Sequence, residues 1–285
     1  MSGREDPSDP DAPGAETPGP EARPAAPGAA RTSRAGLAGA LAVAMLAAIA
    51  LAAWIGATRQ AGPAFSDLPG APGFRQLGAQ GGVSGGAAMF LGLDGPGPEA
   101  SADLCADLWR APGLLATGAS ETAPGPWLAV FSDANCPYCR ILDGVIEGLE
   151  ADRPGLRVIH HEWPVLGPGS VAAARAALAA EAQGEGRGDA LRRRLLQTRF
   201  VVDAQYLRAA AEAEGLDPDR LLTDAAQAQV DATLAATDRA ARALGLGGTP
   251  AVVIGASLIE GVTDRAQLES LLEIEAARAP VCPLP

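Results

Sequence analysis

The sequence predicts an α/β fold in which a β-α-β unit, an inserted helical subdomain and a β-β-α return follow one another, preceded by a single transmembrane helix. Three observations carry this. Short runs rich in apolar and β-branched residues at Trp127 to Phe131, Leu156 to Glu162 and Ala251 to Ile254 are the pattern of buried strands. From Cys136 to Glu150 the side chains of Ile141, Val145 and Leu149 recur at helical spacing, so a helix joins the first two strands. Upstream, Gly36 to Ile55 is uncharged for about 20 residues, the length at which a helix crosses a hydrocarbon core.

Residues 1–35 are rich in Pro, Gly, Ala, Asp and Glu with almost no large apolar side chain. They cannot bury enough surface to offset the entropy of ordering, and are expected to form a disordered acidic tail. Residues 36–57 are the expected anchor, made hydrophobic by Leu37, Leu41, Val43, Met45, Leu46, Ile49, Leu51, Trp54 and Ile55. A cleaved signal peptide competes with that reading. It requires a short basic leader, an apolar core of roughly 7–15 residues and a small-x-small exit, whereas here leader and core are long and Gly56-Ala57 is a poor exit. Arg23, Arg31 and Arg34 before the segment outweigh Arg59 and Arg75 after it, which favours a cytoplasmic N-terminus. The expected location is therefore a bacterial inner membrane, crossed once, with the main domain in the periplasm.

Residues 58–109 read as a Gly/Pro-rich linker and short preface: Ala61 to Ala100 is a tether, with Ala88 to Leu93 and Ala102 to Trp109 able to add some structure. The main domain spans residues 110–277, its helical insert residues 168–245, and residues 278–285 are a tail. Within the insert Ser170 is the expected N-cap of a helix from Val171 to Ala182, and Asp203 that of a helix ending at Gly215. Asp217-Pro218 opens a further helical region running to Leu244. A short strand at Leu258 to Glu260 and a helix from Arg265 to Glu273, with Asp264 and Gln267 at capping positions, complete the domain.

The chain of 285 residues, 48% hydrophobic, is large enough for a real core. Its formal charge of -12 argues against a nucleic-acid partner, which demands a concentrated basic face. The one basic cluster, Arg192 to Arg194, is read as solvating a helix face.

Of the 4 cysteines only Cys136 and Cys139 have motif spacing, in Cys-Pro-Tyr-Cys. Two thiols three positions apart on the first turn of a helix can close into a disulfide. The unpaired backbone N–H groups and the dipole at that end favour a thiolate. Pro137 suits the turn because it fixes φ and lacks only an N–H that has no helical partner anyway. Cys136 is the expected nucleophile and Cys139, one turn inward, the resolving thiol. A zinc site would need more ligands than this pair, and the only histidines, His160 and His161, are adjacent in a strand and point to opposite faces. A purely structural disulfide across so small a loop adds little stability. No metal or small-molecule cofactor is expected.

Three segments in order, Phe131-Ser-Asp-Ala-Asn-Cys-Pro-Tyr-Cys139, Glu162-Trp-Pro-Val-Leu-Gly-Pro-Gly-Ser170 and Gly247-Gly-Thr-Pro-Ala-Val-Val-Ile254, resemble the DsbA-like branch of the thioredoxin superfamily. The resemblance covers roughly Pro126 to Glu273 and implies a thioredoxin-like fold with a helical subdomain capping the active site. It also implies a cis bond at Pro250, with Thr249, Pro250, Pro137 and Tyr138 holding an extended substrate peptide. The implied activity is disulfide exchange with extracytoplasmic protein substrates, coupled to a membrane redox partner. A reductase or isomerase on the same scaffold, and an anchored binding module without turnover, remain alternatives. The sequence departs from relatives at Val130, where many place a buried carboxylate, and at Tyr138, which cannot carry the positive charge of an imidazolium. Proton transfer then falls to water or Asp133, and a milder oxidant than the strongest members of the branch is expected. Of His160 and His161, one is expected to pack inward and the other to face out. Cys105 and Cys282 lie outside the three segments. A second disulfide tying preface to tail is expected, and a shuttle role toward the active pair is the alternative.

Overall fold

The computed structural model describes residues 34–60, 64–78, 82, 84, 104–118, 127–198 and 203–282. They belong to two units, Met1–Ala61 and Gly62–Pro285. In the first, α1 (Arg34–Gln60) is a helix of 27 residues whose described positions, Gly39 and Leu41 to Trp54, are all exposed. Among the described residues no helix is long and apolar enough to cross a membrane. The expected acidic tail lies, up to Ser33, outside the described residues.

In the second unit β1 (Phe65–Asp67), β2 (Arg75–Leu77), the short helix α2 (Leu104–Trp109) and β3 (Leu115–Gly118) precede the β-α-β unit. That unit is β4 (Trp127–Ser132), α3 (Pro137–Asp152) and β5 (Arg157–Glu162). The insert contains α4 (Pro168–Ala180), α5 (Arg187–Gln197), α6 (Ala204–Ala213), α7 (Pro218–Asp224) and α8 (Ala228–Ala243). It is followed by β6 (Ala251–Ile254), β7 (Ser257–Glu260) and α9 (Arg265–Ala276). The strands form one sheet ordered β1-β2-β7-β6-β4-β5-β3, with β4 parallel to β5 and antiparallel to β6.

Strand alternation feeds two apolar layers. Leu128 and Val130 face α3 and α9 through Leu142, Ile146, Leu149, Leu268 and Leu272. Trp127, Ala129 and Phe131 face α2 and α8 through Leu104, Leu108, Ala240 and Leu244. Covered on both faces, every residue of β4 is buried.

Several expectations change here. The tether is partly sheet: β1 and β2 lie in the segment read as linker, and β2 pairs with β7 in parallel through Arg75 and Gln76. Arg75 is fixed there by Glu275 at 2.6 Å, so a residue counted with the flanking charges belongs to the domain. The helical region expected to run unbroken to Leu244 divides into α7 and α8, with a turn in which Ala226 and Gln227 donate backbone N–H bonds to Thr223 and Asp224. The first helix of the insert starts at Pro168 behind Gly167, whose φ of 111° suits only glycine, so Ser170 lies inside the first turn and is no cap.

Both histidines are buried, because β5 lies between β4 and β3 under helices on either side. His161 stacks on Phe131 with centroids 4.4 Å apart. Burial lowers its pKa to about 4, so the ring is neutral, with Nε2–H donating to Leu108 O at 2.9 Å and Nδ1 accepting from the Thr237 hydroxyl. On the other face His160 lies 3.0 Å from the Thr117 hydroxyl. Arg192 is buried as well, not solvated: it bonds Asp143 at 2.7 Å and Asp189 at 2.8 Å, tying α5 to α3. Beside this cluster Glu162 is buried at the end of β5. Desolvation, against the attraction of Arg192, raises its pKa from 4.5 to about 8.

Cys105 at the start of α2 is bonded to Cys282 beyond α9, a sequence separation of 177. Closing so long a loop restricts the unfolded chain. Replacing both cysteines by serine is expected to lower the stability to urea by about 2–4 kcal/mol while leaving the chemistry of the other pair intact. For Glu162, the folded state holds a proton that the unfolded state releases between pH 4.5 and about 8, so its contribution is full below that window and lost as pH rises through it. Glu162→Gln is expected to flatten the decline, its stability relative to the natural chain increasing across the same window in a pH series of urea unfolding curves.

Candidate active site

The site is built where β4 runs out. Asp133 follows the last strand residue, and the chain turns so that Cys136 N–H donates to Asp133 O at 2.9 Å. Cys136 then takes extended dihedrals, φ -83° and ψ 115°, as the N-cap of α3, with Pro137 at the first helical position. Its Sγ accepts the backbone N–H of Cys139 at 3.2 Å, where serine or aspartate oxygens ordinarily cap. Both thiols are free.

The two sulfurs differ sharply in acidity. The Cys136 pKa is lowered from 9.0 to about 6, chiefly by the hydrogen bond from the Cys139 thiol, against an opposing desolvation. Thr249, Ser84 and the Cys139 N–H add to the lowering. Cys139 is pushed far up, by burial first and then by the neighbouring Cys136 sulfur. One thiol is therefore poised as an anion while its mate holds the proton that stabilises it.

Facing the pair is the loop before β6. Its Thr249–Pro250 bond is cis, as the resemblance implies, and Cys136 Sγ lies 3.4 Å from Thr249 O. The loop is pinned by Glu260, which accepts the Gly247 N–H at 2.8 Å, and by Gly261 N–H donating to Pro250 O at 2.8 Å. Leu166 and Leu196 pack on the sulfurs from the side of the insert. Arg140 holds the end of α5 there by donating to Leu196 O at 2.5 Å and Thr198 O at 2.9 Å. Tyr138 remains 37% exposed beside the pair. The structure thus brings together Cys136, Cys139, Pro137, Tyr138, Thr249 and Pro250, and keeps Cys105 and Cys282 apart in their own disulfide. Cys136, the expected nucleophile, is covered, with a relative accessibility of 0%.

Asp133 is the residue whose role sequence reasoning missed. Its Oδ1 accepts from Asn135 N–H at 2.8 Å and the Ser170 hydroxyl at 2.6 Å, and its Oδ2 from Val165 N–H and Leu166 N–H at 2.8 and 2.9 Å. The carboxylate stitches the cysteine turn to the Glu162–Ser170 segment and is fully engaged in doing so. It is a positioning residue, so the reading of Asp133 as a proton acceptor for Cys139 loses its geometric basis. The signal was present in Asp-Ala-Asn, whose first residue is suited to accept the N–H two positions on. Val130, the position of the carboxylate in many relatives, lies in an apolar layer. Besides Asp133, a second buried carboxyl of this region is Glu162, one strand over and in register with Ser132.

The fold has counterparts among solved structures. A thioredoxin-like oxidoreductase from Silicibacter pomeroyi is 32% identical, with a TM-score of 0.57, covering 61% of this chain and 98% of its own. A periplasmic thioredoxin-like protein from Salmonella enterica serovar Typhimurium is 29% identical, with a TM-score of 0.54, covering 62% of this chain and 98% of its own. Proteus mirabilis ScsC in a transitional conformation is 26% identical, with a TM-score of 0.54, covering 61% and 77% respectively. No curated protein matches. The sequence model of the DSBA-like thioredoxin domain matches residues 128–273, more than half of the chain and the whole span from β4 to α9 that carries the cysteine pair and the cis-proline loop. With a polarised Cys-x-x-Cys pair at a helix start opposite a cis proline, the chain belongs to the DSBA-like thioredoxin domain family and is a protein disulfide oxidoreductase.

Proposed function

We propose that the protein exchanges disulfides with extracytoplasmic protein substrates through Cys136 and Cys139, and that its working direction is oxidation. In the oxidised form a client thiolate attacks the Cys136 sulfur, and Cys139 leaves as a thiolate and takes a proton. A second client thiolate then attacks the client sulfur of the mixed disulfide, forming the client disulfide and releasing the Cys136 thiolate. Two electrons move from the client to the pair. A membrane redox partner removes them to restore the disulfide.

The observation that carries this reading is the split in acidity at the start of α3, with Cys136 lowered to about 6 and Cys139 raised. A stabilised thiolate favours the reduced pair, so the disulfide form is an oxidant. A pKa of about 6 lies between the approximate values of about 7 for thioredoxin and about 3.5 for DsbA. It supports an oxidant of intermediate strength, in keeping with an uncharged Tyr138 between the cysteines. The Cys105–Cys282 disulfide supports an oxidising compartment. The uncharged run from Gly36 to Ile55 supports residues 36–57 as a single-pass anchor in a bacterial inner membrane, with the domain in the periplasm.

Reduced protein treated with iodoacetamide across a pH series is expected to label at Cys136 with a midpoint near pH 6, Cys139 staying unlabelled. Cys136→Ser is expected to bring oxidation of a two-cysteine peptide down to the uncatalysed rate. A midpoint in the ordinary thiol range, or exchange that survives the substitution, would refute the assignment. In cells an oxidase keeps the pair mostly as disulfide, whereas a pair held mostly as dithiol would assign a reductase or isomerase.

A further inference from the structure

The covering of Cys136 has a source within the chain. Ser84, in the segment read as a tether, forms an antiparallel bridge with Thr249: Ser84 N–H donates to Thr249 O at 2.7 Å and Thr249 N–H donates to Ser84 O at 2.8 Å. This two-bond exchange uses the backbone groups beside the cis proline that an extended peptide would pair with. The Ser84 side chain also contributes to holding the Cys136 pKa down. Two residues earlier, Gly82 lies flat against the ring of Tyr138, so closely that a Cβ at that position would fall 2.5 Å from the ring carbon Cζ. A strand with a residue lacking a side chain over Tyr138 and a small hydroxyl over the nucleophile therefore occupies the groove.

Serine is the oxygen counterpart of cysteine. We propose that Gly82 and Ser84 form a resident pseudo-substrate strand in the client groove, with Ser84 in the place of the reacting cysteine. Clients must displace it, and they succeed best when they carry a small residue two positions before their cysteine. The proposal rests on the reading of the Thr249 backbone as the client-binding edge. It adds the occupant, the competition that follows, and a preference for glycine opposite Tyr138. Because the strand is tethered it competes at high effective concentration, and the affinity for a free client is reduced by the fraction of time that the groove is closed.

Two experiments on the full chain test it. In the first, Ser84→Cys is combined with Cys139→Ser, and the protein is treated with diamide. The thiols at positions 84 and 136 lose two electrons and two protons to diamide, which becomes the hydrazine, as one S–S bond forms. Non-reducing peptide mapping is expected to find the 84–136 linkage in most of the protein. It should be absent when the new cysteine is introduced instead at Ser66, an exposed residue of β1. No linkage at position 84, or equal linkage from both positions, would overturn the proposal.

In the second, Ser84→Pro removes the N–H that bonds Thr249. The alkylation of Cys136 well above its pKa is expected to accelerate about tenfold, and KM for a Gly-x-Cys peptide to fall by a similar factor. Unchanged labelling and KM would overturn the proposal, and the cross-link stays decisive if the proline variant misfolds. The outcomes separate the two claims. Cross-linking at position 84 in a chain whose natural form exchanges no disulfides would leave the resident strand standing and remove the enzyme, while normal exchange without cross-linking would do the reverse.

Discussion

The contact of Cys139 with the Cys136 sulfur, through its thiol first and its backbone N–H at 3.2 Å as well, is the one on which the chemistry depends. It exists only because the chain leaves β4, turns once and enters α3 at the right residue. Asp133 fixes that turn. By accepting from Asn135, Ser170, Val165 and Leu166 it joins two stretches that are separate in sequence, the cysteine turn at the strand end and the segment that leads into the first turn of the insert. A charged acceptor buried to 1% exposure persists only when its lone pairs are satisfied, so the geometry and the solvation of this residue are one constraint.

The same low-dielectric setting explains why the two thiols separate in acidity. Desolvation disfavours both thiolates, but at Cys136 the hydrogen bonds outweigh it, whereas at Cys139 the smaller contributions of Thr249 and Asp133 do not. Beneath α3 a second solution to buried charge is used. Arg192 has two carboxylate partners drawn from α3 and α5, and Glu162 avoids the penalty by keeping its proton at neutral pH. Arg192 also clamps α5 to α3, so the Leu196 that packs on the sulfurs is held by an ionic contact as well as by Arg140. The insert is thus fastened to the catalytic helix on its own side of the sheet.

Local patterning made the central strands, the cysteine helix, the Asp203 and Asp264 caps and the cis-proline segment legible, because each is written in contiguous residues. What escaped is what depends on distant partners. β1 and β2 have three residues each in a Gly- and Pro-rich stretch, and only the pairing of β2 with β7, and of β1 with β2, gives them a place. Arg192 reads as a surface charge until Asp143, 49 residues away, is brought against it. Alternation in β5 sends His160 and His161 to opposite faces, as read, but cannot tell that both faces are covered. The bridge from Ser84 to Thr249 spans 165 residues and leaves no mark in composition except the glycines.

Those glycines invite a different physical reading once the groove is considered. A linker needs flexibility, and glycine supplies it anywhere along the segment. At Gly82 the requirement is local and steric, since any side chain would overlap Tyr138. Tyr138 in turn is the residue that replaces a charged neighbour between the cysteines, and its flat face is what a strand without a side chain can lie on. The residue that limits the stabilisation of the thiolate is therefore also the one that shapes what may lie over it. Ser84 partly offsets that limit through its hydroxyl, so the strand that buries Cys136 at the same time helps to keep it ionised. A covered sulfur is protected from bulky oxidants and alkylators until the strand lifts, which makes access the step that a client controls.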